Sequence, residues 1–302
     1  MIREALASLA RQESVSGMIS RTPLARDLVE RVVGGDDLHD VMPVASDLAD
    51  RGFHLALEHM VPSVEGRAQV SAAIDDYAAV VDAVADAGLA SVSEVIVFAE
   101  ALGQHVPGSD PRGALAELAR SASARGVGLQ LGTGELADLP EALAWARDLV
   151  DSGTAVGVTL PAIWRATERE VVAWADGRVR LVKGAHGGGG EVHRQPLETD
   201  KAFVRCARTL LRGAGHPSFA THDPRLIAIV QDRAAAYGRA PQTFEFAFYL
   251  GRQTGEQDRL LAAGHSVRVY VPFGHRWLER LVGGLAEQPT GIASAVRSLL
   301  PV

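Results

Sequence analysis

At 302 residues the chain has room for one large barrel or two ordinary domains, and 47% hydrophobic with 22% charged residues is a globular composition with a sizeable core. A net charge of −7 without any basic stripe argues against a nucleic-acid partner, and no apolar run approaches the roughly 20 residues of a membrane span. Cys206 is the only cysteine, which excludes an internal disulfide; with an acid at Glu4 and no signal-peptide pattern, the chain reads as cytoplasmic.

The first fifty residues read as a helical segment. Residues 4–12 are amphipathic, Thr22-Pro23 opens a second helix, and Gly34-Gly35-Asp36-Asp37 ends it and caps a third that runs to Ala49. The period then changes to two. Phe53, Leu55 and Leu57 share one face of a strand, and a helix over about 66–87 carries Ile74, Tyr77, Val81 and Val84 on one stripe. Further strands are expected at Glu94–Phe98, Val127–Leu131, Ala155–Leu160, Val179–Val182, Ser218–Thr221, Thr243–Phe246 and Val267–Val271, with helical patterns between them such as Leu139, Leu143, Ala146 and Val150. Eight βα units without a long linker predict an α/β fold: a single (β/α)8 TIM-like barrel over 51–302, one structural domain, preceded by N-terminal helices over 1–50. A doubly wound sheet is the alternative, but the first strand runs into Glu58-His59-Met60-Val61-Pro62 and not into a glycine-rich turn.

In such a barrel the chemistry belongs at the C-terminal strand ends. Those ends carry Glu58 and His59, Phe98 and Glu100, Gly132, Pro161, Lys183 to His186, Thr221-His222-Asp223, Glu245, and Tyr270 to Gly274. Arg180 and Lys183 on the fifth strand make an anion or cofactor platform, or else a strand end whose charges meet solvent or a carboxylate. Thr221 and His222 either hydrogen-bond a cofactor or belong to an Asp-Pro turn. Glu245 lies between two phenylalanines and needs a buried partner, Arg268 or Arg180. His186, Glu191 and His193 lack metal-site spacing, so no metal is assigned, and Cys206 reads as a structural thiol.

Several of these segments resemble one family, in the same order. Arg180-Leu181-Val182-Lys183-Gly184-Ala185-His186 is similar to its Arg-Leu-Val-Lys-Gly-Ala-Tyr, and Phe219–Asp223 to its Phe-Ala-Thr-His-Asn. Phe244-Glu245-Phe246 matches its seventh strand, and Val267–Gly274 resembles Val-Arg-Val-Tyr-Val-Pro-Tyr-Gly. Leu55–His59 and Val156-Gly157-Val158 also fit, so the likeness spans nearly the whole chain. The family is the monofunctional, flavin-dependent proline dehydrogenases, which pass hydride from the proline Cα–N unit to FAD.

The resemblance implies FAD contacts at Arg180, Lys183, Gly184, Ala185, Thr221 and His222, and a catalytic substrate site at Tyr270 and Glu287. It also implies a small-molecule substrate, with the electron acceptor and oligomeric state left open. Other positions depart from the pattern. The family's strand-two lysine falls on Phe98, its strand-three aspartate on Gly132 and its strand-four glutamine on Pro161; its carboxylate-clamping arginine pair falls on Gly283-Gly284. A carboxylate taken out of water needs charge-assisted hydrogen bonds worth about 1.5–3 kcal/mol each. Two functions are therefore expected. One is a flavin-dependent oxidoreductase turned to a small amine or imino compound other than free proline. The other is a non-catalytic relative with a binding or scaffold role.

Overall fold

The protein is described by a computed structural model, in which residues 32–184 and 191–274 are placed. The two helices expected before residue 32, and Ala185, His186, Gly187 to Gly190, Gly283, Gly284 and Glu287, lie outside the described residues.

Helix α1 (Leu38–Asp50) starts where Asp37 takes the Asp40 N–H at 3.1 Å, and it buries Val41, Ala45 and Leu48. Strand β1 (His54–His59) follows, then α2 (Arg67–Asp86), whose buried stripe includes Tyr77, Val81 and Val84. The alternation continues through β2 (Ser93–Val97), α3 (Pro111–Ala124), β3 (Gly128–Leu131), α4 (Leu139–Asp151), β4 (Gly157–Pro161) and α5 (Thr167–Ala173). It closes with β5 (Val179–Val182), α6 (Pro196–Arg212), β6 (Ser218–Ala220), α7 (Pro224–Ala236), β7 (Glu245–Tyr249), α8 (Thr254–Ala262) and β8 (Ser266–Phe273). The strands are parallel and close in sequence order, β8 pairing with β1, so the predicted barrel is the observed one. No helix among the described residues is long and apolar enough to cross a membrane.

Period two sorts each strand into two faces. Leu55, Leu57, Val95, Val97, Leu129, Leu131, Val158, Leu160, Val179 and Leu181 join the continuous apolar core between sheet and helices. The alternate residues face the barrel interior, and many are polar: His54, Glu58, Glu94, Gln130, Thr159, Arg180, Ser218, Glu245, Arg268 and Tyr270. Barrels of this architecture usually fill that space with branched aliphatics. Here the core sits outside the sheet and the charges sit inside it.

One strand differs from expectation. Residues 241–243 form a 3-10 turn, and β7 begins at Glu245 and runs to Tyr249. Phe244, Phe246 and Phe248 all lie in the outer core, so Glu245, Ala247 and Tyr249 point inward. Glu245 therefore stands at the N-terminal end of its strand, away from the rim to which its motif had assigned it. The rim position belongs to Tyr249.

Candidate active site

The interior is organised from the bottom upward. Glu245 is fully buried, and Arg268 grips it from the neighbouring strand, Nε at 2.6 Å from Oε1 and a terminal nitrogen at 2.9 Å from Oε2. His54 Nδ1 lies 3.4 Å from the same carboxylate and Arg178 3.7 Å away. Burial alone raises the Glu245 pKa, but Arg268, the His54 hydrogen bond and Arg178 outweigh it and hold the group well below the usual carboxylate range. Of the two partners expected for Glu245, Arg268 is the one observed.

Arg180 pairs with another acid. Glu94 on β2 accepts from Arg180 with one oxygen and from Arg178 with the other, at 3.0 Å and 2.5 Å. Burial brings the Arg180 guanidinium down to about 10, with Tyr270, Glu245 and Tyr249 acting in the opposite sense. The Arg180 head lies 5.2 Å from the Tyr270 ring centroid, a cation–π contact. Its Nε is buried and has no hydrogen-bond partner among the described residues. A buried guanidinium N–H without an acceptor is costly, so this atom is a ready donor to a ligand at the level of Tyr270.

Lys183 is the first residue beyond β5, and its ammonium is 2.6 Å from Asp200 on α6 and 3.9 Å from Asp223. Arg225 binds Asp223 at 2.6 Å and lies 3.7 Å from Asp200. Two cations and two carboxylates thus balance, and the lysine expected to meet a flavin already has a partner. A Cβ built on Gly184 would meet nothing within 4 Å, so the backbone there is open to approach.

Thr221 is buried, and its hydroxyl accepts the Asp223 N–H at 3.2 Å, the turn that leads into α7. That use leaves the hydroxyl hydrogen as a donor. His222 packs edge-on against Phe248 and stacks on Tyr249 at 5.7 Å and 18°. Its Nε2 takes the Tyr249 N–H at 3.1 Å, which puts the ring proton on Nδ1. Burial pushes His222 down to about 4, and Arg252 acts in the same direction. The imidazole is neutral at ordinary pH.

Across the mouth, the Phe98 ring covers Gly132. A Cβ on Gly132 would stand 2.5 Å from Phe98 Cε1 and 2.8 Å from Cζ, so no other side chain fits at residue 132 while the ring stays. Phe98 and Gly132 are thus one packing unit. Pro161 has no N–H, and its carbonyl accepts the Thr167 hydroxyl at 2.6 Å and the Trp164 N–H at 3.0 Å. Cys206 is 1% exposed, and burial drives its thiol up to about 12, as befits packing and not nucleophilic chemistry.

The structure therefore gathers Arg180, Tyr270, Thr221 and His222 around the β5–β8 side of the barrel, and Lys183 beyond them. Sequence reasoning missed Glu94, Arg178, Asp200 and Tyr249. The outward Phe244, Phe246 and Phe248 carried a signal for the last, since three phenylalanines at period two extend the strand past Phe246.

A family model described as "Proline dehydrogenase" matches residues 41–281. Proline dehydrogenase 2 of Bacillus subtilis (strain 168) is 22% identical over 272 residues, covering 89% of each chain. Proline dehydrogenase of Deinococcus radiodurans is 32% identical over 123 residues, 40% of each chain. Among solved structures, proline utilization A from Bdellovibrio bacteriovorus, inactivated by N-propargylglycine, superposes with a TM-score of 0.82 at 17% identity, over 94% of this chain and 34% of that one. A proline utilization A mutant from Bradyrhizobium japonicum gives 0.70 at 22% identity, over 92% and 33%. The chain thus spans about a third of the length of these structures. By the span of the family match, this chain belongs to the proline dehydrogenase family, a family of FAD-dependent oxidoreductases.

Proposed function

We propose that the protein is a flavin-dependent oxidoreductase of the proline dehydrogenase type with an altered substrate site, acting on a small amine or imino compound other than free proline. The observation that carries this reading is the pairing of an unpartnered buried donor, Arg180 Nε, with a Phe98 ring standing over Gly132. The first suits a cofactor acceptor, and the second places hydrocarbon where the family resemblance expects charge.

The residues present fit FAD in part. Arg180 offers its Nε–H, Thr221 its hydroxyl hydrogen and His222 its Nδ1–H, while Gly184 leaves room for backbone approach. Lys183 reaches the cofactor only by sharing its ammonium with Asp200. FAD, when bound, supplies the hydride acceptor. Arg180, Thr221 and His222 would hold the cofactor through these donors, and Tyr270 would meet the substrate. A neutral His222 neither competes for protons nor repels a cationic amine. Glu287 is assigned to the substrate by the resemblance alone.

A second reading, a non-catalytic binding or scaffold protein, is favoured by the closed Lys183–Asp200–Asp223–Arg225 balance and by Pro161. The two separate on purification without added cofactor, followed by FAD titration and a dye-linked assay on proline. The enzyme reading expects flavin absorbance saturating in the micromolar range and near-background turnover of proline. No flavin uptake at high micromolar FAD overturns it, and robust proline turnover overturns the altered substrate site.

A further inference from the structure

Four large hydrophobic side chains among the described residues are conspicuously exposed: Val172, Leu197, Ile229 and Tyr249. The first three lie on the outer helices α5, α6 and α7. Tyr249 alone stands at the C-terminal end of a barrel strand, with 47% of its surface open. An exposed aromatic at that end is in the position of a ligand contact.

Its ring is also fixed. His222 stacks on it at 5.7 Å, and Tyr270 crosses it at 5.1 Å and 70°. The Tyr249 N–H is tied to His222 Nε2, and its strand neighbour in register is Tyr270 itself. The result is a rigid aromatic corner running from the Arg180 head through Tyr270 and Tyr249 to His222. Such a surface attracts cationic and apolar groups through its ring faces and offers little to a carboxylate.

Three of the cations around it are already held by carboxylates, Lys183 by Asp200, Arg225 by Asp223 and Arg180 by Glu94, while the Arg252 charge acts on His222. Beside Tyr270 on β1 stands the small Ala56, and one inward step above it is the buried Glu58. The aromatic rings are what make a setting for an ammonium centre here.

We propose that Tyr249 is a specificity-determining residue, which with Tyr270 receives the ammonium centre and apolar substituent of an amine that lacks a carboxylate. This names the ligand class of the proposed oxidoreductase site and rests on that reading, but its test does not require turnover.

The test is calorimetric titration of the folded protein, with and without saturating FAD, using benzyltrimethylammonium as the cationic aromatic probe and cyclopentanecarboxylate as an anionic one. The cation is expected to bind at least about tenfold more tightly than the carboxylate. Tyr249→Leu should weaken the cation about five- to tenfold, whereas Tyr249→Phe, which keeps the ring, should stay within about twofold. Circular dichroism establishes that both variants are folded. Equal cation affinity in Tyr249→Leu overturns the proposal, as does preference for the carboxylate or binding of neither probe. Cation binding with the expected variant pattern but no FAD uptake sustains the aromatic site and removes the flavoenzyme reading. FAD uptake with Tyr249→Leu indistinguishable from wild type does the reverse.

Discussion

Removing the Glu94 carboxylate should be among the costliest single changes in the barrel. Glu94 is 1% exposed and serves two guanidiniums, Arg180 through one oxygen and Arg178 through the other, with Arg268 Nε 3.7 Å away. In Glu94→Ala three arginines are left facing Glu245 alone. Arg178 is 34% exposed and turns partly to water, but Arg180 at 3% does not. Breaking a buried pair by removing one partner costs about 3–5 kcal/mol, because the remaining ion keeps its desolvation penalty without its Coulomb partner. Against a total stability of about 5–15 kcal/mol this is a large fraction. Glu94→Gln preserves shape but presents an amide nitrogen to guanidinium donors, so it should lose most of the same amount. Converting both partners, Glu94→Leu with Arg180→Met, should cost far less than either single removal, because the penalty lies in the orphaned charge. Urea unfolding followed by tryptophan fluorescence measures wild type, these variants and the singles Glu94→Leu and Arg180→Met. A loss below about 1 kcal/mol in Glu94→Ala would refute the reasoning, as would a double variant less stable than the sum of the singles.

Two further outcomes follow from the packing and from the pKa of His222. Gly132→Ala must displace the Phe98 ring and should cost about 1–3 kcal/mol, with Phe98→Ala in the same chain relieving at least about 0.5 kcal/mol of it in a double-mutant cycle; strict additivity would show that the ring is not the obstacle. His222 titrates at about 4 in the folded chain against about 6.5 when unfolded, so the unfolded state binds more protons between those values. Its contribution is therefore fully present above about pH 6.5 and is lost as pH falls toward 4; a His222 proton NMR titration with a midpoint above 6 would contradict the buried, neutral ring.

Most of the barrel was legible because its outward residues are apolar and its strands are short. Leu55 and Leu57, Val95 and Val97, or Val158 and Leu160 declare the strands wherever the inward neighbours are polar. Strand β7 reads too early in the sequence because β-branched Thr243 precedes a phenylalanine pair, although Phe248-Tyr249 belongs to the same strand. That two-residue shift moved Glu245 from the bottom of the barrel to its rim and hid Tyr249. The ion pairs could not be read at all. Glu94 and Arg180 are 86 residues apart, on strands separated by β3 and β4, and nothing in either segment names the other. Local pattern gives the faces of strands; the partners of inward charges come only with closure of the sheet.

The interior charge count bears on which function the barrel was shaped for. Three guanidiniums, Arg178, Arg180 and Arg268, face two carboxylates, Glu94 and Glu245, and His54 completes the cluster. Ion pairs in such a place do not by themselves stabilise a fold, since well-packed hydrocarbon serves as well or better. A chain that needed only a scaffold would gain nothing from a buried guanidinium whose Nε has no acceptor among the described residues. A site that must meet an electron-rich group at the level of Tyr270 gains a fixed donor, already desolvated and held from below by Glu94. The same donor explains why the mouth can turn aromatic without losing polarity inside. Phe98, Tyr249 and Tyr270 set what approaches from above, while Arg180 and Glu94 set what is offered from beneath. Under the proposed function Phe98 and Gly132 redirect the site more than they dismantle it, and flavin uptake by a folded Glu94→Gln chain, weaker than wild type but present, is the result expected of it. Uptake equal to wild type would mean that Glu94 does not position Arg180 for the cofactor.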